Sequence, residues 1–304
     1  MHRYLYLFGN RYQWYTVLGK FYFFPILFFN LSQYNEKKEN LSVVSERIQK
    51  YFQKKLKLNS HFRFLEKKSF WTIVEIIVFT ILQYYTILLS TGIIGDLFNT
   101  GGNYFGCFLL FPYILLVSYW LFGLDPLKQS DLITPSFPLS LIFIKLACFC
   151  AGCCHGIESN RFGMYNYKTS AMEIPVQLIE AGWGLILFIL LFAIRKKVKP
   201  GTLFPLYTIL YSATRFCSEF LRHEENILGP LKKYHIFCIA GIVIGIIQYI
   251  VVTKYGEQIR AFIQPGLIGL IEKLKEKLKK RKKANRKAKK KNKNKNKNKG
   301  KKRA

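Results

Sequence analysis

The sequence predicts an all-α polytopic membrane protein with about seven transmembrane helices, an external N-terminus and a cytoplasmic C-terminus. Half of the 304 residues are apolar. They are grouped in blocks of about 20 residues, which at 1.5 Å per residue is long enough to cross a bilayer. The formal net charge of +30 is segregated, because 22 Lys and Arg face three Glu from Lys254 onward. The remaining basic loops follow the rule that cytoplasmic segments are the positive ones.

Seven apolar blocks are predicted to span the membrane. They are residues 12–31, 70–94, 105–122, 136–153, 174–194, 202–221 and 235–253. The first block has no small-residue cleavage site after a short apolar core, so we expect a retained helix rather than a signal peptide. Together the blocks define a membrane domain over residues 1–253.

Basic residues determine the predicted orientation. Residues 35–68 contain ten Lys and Arg against four Glu, and the loop after the fifth block reads RKKVK. With seven spans, both loops and the basic tail lie on one side, which is then the cytoplasm. Residues 35–68 carry apolar side chains at near-helical spacing and are expected to form an interfacial helix.

The C-terminal tail is expected to contact the anionic cytoplasmic leaflet. Residues 254–283 have the pattern of a basic amphipathic segment, and residues 284–304 are a Lys/Asn-rich stretch expected to be disordered. The attraction amounts to about 1 kcal/mol per basic residue near the surface. Contact with RNA or the ribosome is the less favoured alternative, and no specific nucleic acid partner is expected.

The sixth block carries charged residues on one helical face. Tyr211, Arg215, Glu219 and Arg222 are spaced by four, four and three residues. Intramembrane arginine and glutamate are unfavourable unless they pair or line a cavity. One interpretation is a structural ion pair that fixes the helix to a neighbour. We favour the other, in which the surplus positive charge binds a phosphate, for which the planar guanidinium is well suited.

The fifth block repeats this pattern. Glu173, Gln177, Glu180 and Gly184 fall on one face, and Gly184 permits close contact between helices. Gln177 and Glu180 either form interhelical hydrogen bonds or belong to a site. In the second case Glu180 or Glu219 orients an arginine, and one of these carboxylates could accept a proton.

Four cysteines and a histidine end the fourth block: Cys148, Cys150, Cys153, Cys154 and His155. Structural zinc sites usually take ligands from two separated knuckles, and no second cluster follows, so no metal site is expected. A disulfide in an oxidising exterior is one alternative. The preferred interpretation is that the cysteines are small packing residues between closely approaching helices. His155 is either a proton acceptor or an ordinary interfacial histidine.

The order of these motifs resembles the prolipoprotein diacylglyceryl transferase family of bacteria. The resemblance covers most of residues 8–250. Its strongest parts, IPVQLIEA and GTLFPLYTILYSATRFCSEFLR, are similar to the family's Pro-x-Gln-Leu-x-Glu and Tyr-x-x-x-Arg-Phe-x-x-Glu-Phe-x-Arg stretches. Tyr15 is similar to the tyrosine of the family's first helix, and Gly101 and Gly102 to the start of its glycine-rich outer loop. The resemblance implies a multi-pass protein of the bacterial cell membrane.

The fourth block departs from the family pattern. Where the family reads Arg-x-Gly-Asn-Phe-x-Asn-Gly-Glu, this chain reads KLACFCAGC, so Lys145 stands in place of the arginine and Cys153 in place of the glutamate. Phe105-Gly106-Cys107 stands where the family often has His-Gly-Gly. The chain resembles a divergent branch with Gly-Cys-Cys-x-Gly at this position.

The resemblance implies that phosphatidylglycerol donates a diacylglyceryl group to the lipobox cysteine thiol of a prolipoprotein signal peptide, without cofactor or metal. The candidate catalytic residues are Arg215, Glu219, Glu180 and His155. The candidate phospholipid-binding residues are Tyr15, Gly101, Gly102, Lys145, Gln177, Tyr211 and Arg222. Two alternatives stay open: a catalytically silent lipid-binding or scaffold homologue, and a related membrane enzyme that uses an anionic phospholipid with another acceptor.

Overall fold

Long apolar runs form most of the helices of this protein in a computed structural model. The structure describes residues 4–7, 10–13, 21, 23–32, 43–55, 67–97, 111–224, 226–263, 266, 269, 271 and 274–278. The helices are α1 (Phe23–Leu31), α2 (Val43–Lys55), α3 (Lys68–Leu97), α4 (Phe111–Phe122), α5 (Pro126–Ile133), α6 (Ser136–Ala151), α7 (Val176–Ile194), α8 (Leu203–Glu219) and α9 (Lys233–Ile263). Three antiparallel pairs of strands accompany them: β1 (Tyr4–Leu7) with β2 (Asn10–Gln13), β3 (Met164–Asn166) with β4 (Ala171–Glu173), and β5 (Asn226–Leu228) with β6 (Leu231–Lys232).

Within the described residues, four helical segments are long and apolar enough to cross a bilayer, judged by length and composition. They are Lys68–Ile87, Pro126–Ala151, Val176–Ile194 and Lys233–Ile263. These segments correspond to the second, fourth, fifth and seventh predicted spans. The sixth predicted span is α8, which has 17 residues. The helices described within the first and third are α1, with nine residues, and α4, with 12. The count of seven and the orientation stay predictions.

Some predicted boundaries differ from the structure. The prediction that the first helix begins at residue 12 is wrong, because Asn10–Gln13 pairs with Tyr4–Leu7 as a hairpin. The helix at the C-terminal side continues to Ile263 without a break at residue 253. The predicted interfacial segment contains α2, whose exposed Ile48 and Tyr51 leave an apolar side uncovered.

The core lies between the helices, and apolar side chains also cover the outside. Buried residues from six helices form one cluster: Phe79, Ile133, Phe137, Leu141, Leu187, Leu191, Leu203, Phe204, Tyr207, Tyr211 and Cys238. On outer faces, Phe28 is 62% exposed and Ile189 is 59% exposed. A bilayer covers such side chains, whereas in water they would form an extended apolar patch. The protein is therefore a mostly helical membrane protein.

Glycines let neighbouring helices approach closely. A Cβ on Gly184 of α7 would lie 3.0 Å from the carbonyl oxygen of Pro138 in α6. This confirms the prediction that Gly184 permits close helix contact. A Cβ on Gly241 of α9 would lie 2.3 Å from Oγ of Ser212 in α8. The pairs α6–α7 and α8–α9 are the most closely packed of the bundle.

The antiparallel helices bring unlike residues to the two ends of the bundle. One end contains the RKKVK loop between α7 and α8, and we call it the basic end. There the carboxylate of Asp131 accepts hydrogen bonds from the N–H groups of Gly201 and Leu203 at the start of α8. Asp125 lies 2.8 Å from Arg260 at the same end. The opposite end, which we call the polar end, contains the end of α6, the start of α7, the end of α8 and the start of α9.

Candidate functional site

Backbone hydrogen bonds tie three segments together at the polar end. Gly156 donates to the carbonyl oxygen of Ile174 at 3.0 Å, and Ile157 donates to that of Leu221 at 2.9 Å. A Cβ at position 156 would lie 2.6 Å from the Leu221 oxygen, so only glycine fits there. This connection fixes the turn after α6 against the start of α7 and the end of α8.

A buried group of charges, which we call the central cluster, lies just inside this connection. Its members are Lys145, Glu180, Arg215, Glu219 and Arg222. Glu180 is the shared acceptor: Lys145 Nζ lies 2.5 Å from Oε2, and Arg222 Nη2 donates to Oε2 at 2.9 Å. Arg215 Nη1 donates to Oε1. Arg215 Nη2 also lies 2.8 Å from Glu219 Oε2.

The central cluster carries one formal positive charge in excess, since it has three cations and two carboxylates. Each of the five residues is at most 9% exposed. Burying charge is unfavourable unless it is paired, and the carboxylates pair with only part of this positive charge. The arrangement therefore favours an additional anion at this place.

Lys232 adds a further cation at the polar end. Its ammonium group donates to the carbonyl oxygens of Glu219 and Phe220 at 3.0 and 3.3 Å, and also to that of Arg222. These carbonyls belong to the end of α8, where the helix dipole favours a cation. Lys232 is 6% exposed and so contributes positive charge at low dielectric.

Several buried polar atoms here neither donate nor accept an aligned hydrogen bond within the described ranges. They are Gln177 Oε1, Arg222 Nε and both carboxylate oxygens of Glu219, although Glu219 Oε2 lies 2.8 Å from Arg215 Nη2 and 3.7 Å from Arg222 Nε. Gln177 itself is held by its amide nitrogen, which donates to the carbonyl oxygen of Cys153 at 2.5 Å. Unpaired buried donors and acceptors are uncommon, and a bound polar ligand would satisfy them.

His155 forms a second polar arrangement next to the cluster. Its Nδ1 lies 3.1 Å from Glu173 Oε2 and 3.4 Å from the carbonyl oxygen of Gly156. Both neighbours are acceptors, so we assign the ring proton to Nδ1, which leaves the lone pair on Nε2. Glu173 is held in turn by Asn166, which donates at 2.7 Å.

Two cavities open beside these residues. One, of about 550 Å³, is lined by His155, Glu173 and Gln177 together with the aromatic side chains of Tyr165 and Tyr167. The other, of about 620 Å³, is lined by Arg222, His223, Glu224 and Lys232. The rings of His155 and His223 lie 6.2 Å apart, so the two histidines stand between the cavities.

The cysteine-rich turn closes α6. Gly152 has φ 64°, its N–H donates to the Phe149 oxygen and the Cys153 N–H donates to the Cys148 oxygen. This is a Schellman motif, which brings the residue after the glycine back onto the helix. Cys154 also has a left-handed φ of 61°, which is uncommon outside glycine.

The turn gathers the Sγ atoms of Cys148, Cys153 and Cys154 within 4.8 Å of one another. Hydrogen bonds from the thiols of Cys148 and Cys153, followed by the charge of Lys145 and Arg222, lower the pKa of the Cys154 thiol well below its usual range. The six cysteines in the described part of the chain are free thiols.

The structure brings many of the residues singled out from the sequence to one place. Lys145, Glu180, Arg215, Glu219 and Arg222 form the central cluster, and Gln177 and His155 border it. Tyr211 is 4% exposed and packs with Tyr207, with ring centroids 5.9 Å apart. Tyr15, Gly101 and Gly102 lie outside the described residues.

Sequence reasoning missed three features of the site. Glu173 lies in β4, so its predicted place on a helical face is wrong. Lys232 was not among the candidate residues, although it directly precedes an apolar block on the side predicted to be external. A lysine there departs from the rule that basic residues lie in cytoplasmic loops, and this departure could have identified it. Asn166, which orients Glu173, has no signal in the sequence because its position depends on the β3–β4 hairpin.

Comparisons with known proteins show which family this chain belongs to. The family model for prolipoprotein diacylglyceryl transferase matches residues 43–251, more than half of the chain. A protein of Chlorobaculum tepidum named phosphatidylglycerol–prolipoprotein diacylglyceryl transferase is 40% identical over 122 residues, covering 37% of this chain and 42% of the relative. Proteins with the same name from Clostridium tetani (32% over 133 residues, 41% and 53%) and Clostridioides difficile (30% over 130 residues, 42% and 52%) also match.

These matches cover about half the length of the relatives. They confirm the resemblance that was drawn from the motifs of the fifth and sixth blocks. On the extent of the family match, the chain belongs to the prolipoprotein diacylglyceryl transferase family.

Proposed function

We propose that this protein transfers the diacylglyceryl group of phosphatidylglycerol to the cysteine thiol of a lipoprotein precursor. The observation that carries the proposal is the excess positive charge of the buried central cluster, beside a cavity that Arg222 and Lys232 also line. Membership of the family and the names of the matching relatives support the choice of substrates.

The reaction joins the thiol sulfur to the glycerol carbon that bears the phosphate. The bond between that carbon and the phosphate oxygen breaks, and glycerol phosphate leaves with the electron pair. The thiol proton passes to a base on the protein. Negative charge grows on the leaving phosphate, so fixed cations at that position lower the barrier.

Arg222 and Arg215 are the proposed phosphate ligands. Arg222 lines the larger cavity and has a buried Nε without an aligned acceptor among the described residues. Arg215 lies beside it and is only 7% exposed. Guanidinium groups hold phosphate oxygens in a fixed, bidentate geometry. Glu180 is a positioning residue in this scheme, because it accepts contacts from both arginines and from Lys145.

His155 is the proposed proton acceptor. Both carboxylate oxygens of Glu180 are already in contact with cations, so they are not available to an incoming thiol. His155 has a free lone pair on Nε2, and Glu173 orients its ring through Nδ1. A base that a third group orients in this way is the usual arrangement for activating a nucleophile. The cysteine thiol is activated because the thiolate is the reactive form.

The proposed setting is a bacterial cell membrane, crossed several times. The polar end with the central cluster faces outward, and the basic end with the RKKVK loop faces the cytoplasm. The Lys/Asn-rich tail contacts the anionic leaflet on that side. Gln177 and the tyrosines of the smaller cavity then face the incoming signal peptide.

The test is a transfer assay with labelled phosphatidylglycerol and a precursor peptide. Arg215→Ala should lower the rate by about 10²–10³-fold, the effect of losing one preorganised donor. Arg260→Ala is the matched control, since Arg260 pairs with Asp125 at the opposite end, and it should keep the wild-type rate.

The product identifies which function is present. A thioether-linked lipid supports the proposal. Release of glycerol phosphate without a thioether would indicate another acceptor, and lipid binding without either product would indicate a silent homologue. Equal rates for the Arg215 and Arg260 variants would contradict the assigned role of the central cluster.

A further inference from the structure

We propose that Cys148, Cys153 and Cys154 form a binding site for a thiophilic d10 cation, Zn²⁺ or Cu⁺. The proposal does not depend on the proposed transferase function. It is carried by geometry, since the three Sγ atoms lie within 4.8 Å of one another. Three thiolates at about 2.3 Å from one ion in tetrahedral geometry are about 3.8 Å apart, so the thiols need to close by at most about 1 Å.

The backbone brings the three sulfurs together without a second knuckle. The Schellman motif at Gly152 returns Cys153 to Cys148, one turn back along α6. The left-handed conformation of Cys154 then adds the third thiol to the same group. A Cβ at position 152 would lie 2.7 Å from Oδ1 of Asn166, so the turn depends on glycine there.

The chemistry of the donor set selects a soft ion. No carboxylate belongs to the group, and thiolates favour Zn²⁺ and Cu⁺ over Mg²⁺ or Ca²⁺. Three protein ligands leave a fourth position on Zn²⁺ for an external ligand, whereas Cu⁺ accepts three thiolates alone. Cys148 and Cys153 are half-buried and Cys154 is exposed, so an ion can enter from the polar end.

Nearby cations complete the electrostatic argument. Three thiolates around Zn²⁺ carry one net negative charge, and around Cu⁺ they carry two. Lys145 lies three residues before Cys148 on the same helix, and its charge and that of Arg222 act on Cys154. The nearby positive charge of the central cluster therefore offsets part of the negative charge of a thiolate complex.

The experiment uses the full-length protein in detergent, reduced and freed of metal by chelation. One arm titrates Zn²⁺ against a colorimetric chelator, and the other titrates Cu⁺ against a Cu⁺-specific chelator. We expect one equivalent per chain, and X-ray absorption should give three sulfur neighbours, at about 2.3 Å for zinc. The arm that binds more tightly identifies the ion.

Cys148→Ser, Cys153→Ser and Cys154→Ser should each weaken binding by at least about tenfold. Cys217→Ser on α8 is the matched control and should bind like the wild type. A readout that needs no variant is thiol labelling, in which the bound ion should protect these three cysteines, identified by peptide mapping. It keeps the test decisive if a serine variant fails to fold.

Three results would overturn the proposal. The first is failure of the reduced wild-type protein to bind either ion in stoichiometric amount. The second is binding that Cys154→Ser leaves unchanged, because the ligands would then lie elsewhere. The third is a disulfide between two of these cysteines that re-forms in air even with metal present, which would indicate a redox pair instead.

Discussion

Replacing Glu180 by glutamine tests whether this carboxylate holds the central cluster together. Glu180→Gln removes the negative charge shared by Lys145, Arg215 and Arg222 and leaves a neutral amide oxygen as acceptor. The formal excess of positive charge in the cluster then rises from one to two. Breaking a buried ion pair from one side destabilises a protein by about 3–5 kcal/mol, because the other charge stays buried and unpaired.

The contribution of one pair can be separated by adding Lys145→Met. Two unit charges about 4 Å apart attract by about 4 kcal/mol at an effective dielectric constant of about 20. Part of this offsets desolvation, so we expect a coupling free energy of about 2 kcal/mol, within the range for residues in contact. Glu180→Gln should therefore lower the free energy of unfolding of the Lys145→Met protein by about 2 kcal/mol less than it lowers that of the wild-type protein.

The assay is unfolding in mixed micelles with increasing sodium dodecyl sulfate, followed by tryptophan fluorescence. Asp131→Asn is the matched control because it removes a half-buried carboxylate at the basic end. Its effect should add to that of Lys145→Met within about 0.5 kcal/mol. If Glu180→Gln is also additive within that margin, Glu180 and Lys145 do not form the ion pair that we describe.

Three further predictions concern the surroundings of the cluster. Gly152→Ala should lower the free energy of unfolding by at least about 1 kcal/mol, because φ at this position is 64° and a Cβ would meet Asn166. The control is Gly182→Ala, which should not destabilise the protein because a Cβ there has nothing within 4 Å. Lys232→Met should lower the free energy of unfolding by about 1–3 kcal/mol, because it leaves carbonyl oxygens at the end of α8 without their donor. The control is Lys128→Met at an exposed position, which should change that free energy by less than about 0.5 kcal/mol. Partial desolvation, followed by the charge of Glu219, raises the pKa of the exposed Glu224 side chain above its ordinary 4.5. The folded protein therefore binds more protons than the unfolded chain, and its stability falls as the pH rises from 4.5 through the folded pKa. Glu224→Gln should flatten that fall in unfolding measured from pH 4 to 8, and an unchanged slope would contradict the raised pKa.

The sequence allowed the charged face of α8 to be predicted. Spacing by four, four and three residues places Tyr211, Arg215, Glu219 and Arg222 in line on a helix. The helix itself ends at Glu219, but the Arg222 N–H still donates to the Glu219 oxygen. The turn therefore keeps Arg222 on the predicted face, which is why a periodicity argument held beyond the helix end.

The partner of those arginines could not be predicted in the same way. Periodicity gives the polar face of each helix, but it does not say which helices are neighbours. Glu180 on α7 receives Lys145 from α6 and both arginines from the end of α8. That meeting depends on tertiary packing, including the close approach at Gly184.

The turn that contains the cysteines could be predicted from the sequence only in part. A cysteine, three residues, a glycine and a second cysteine would have been enough to predict a Schellman motif with Cys148 against Cys153. The third thiol depends on a left-handed Cys154, and no intrinsic preference of cysteine favours that conformation. The grouping of three sulfurs was therefore visible only in three dimensions.

The first hairpin was missed because its two strands share no sequence pattern. Tyr4–Leu7 alternates tyrosine and leucine, whereas Asn10–Gln13 reads NRYQ and runs directly into the apolar residues that precede α1. A hydropathy argument merges such a strand with the following helix. The predicted start of the first span moved too far toward the N-terminus for this reason.

The most direct test of the central claim is lipid binding by native mass spectrometry with phosphatidylglycerol and phosphatidylcholine of identical acyl chains. Excess buried positive charge predicts that the wild-type protein and Arg260→Gln retain phosphatidylglycerol at least about tenfold better, a difference of about 1.4 kcal/mol. Arg215→Gln and Arg222→Gln should lose most of that preference. Equal retention of the two lipids by the wild type, or an undiminished preference in both cluster variants, would contradict the account.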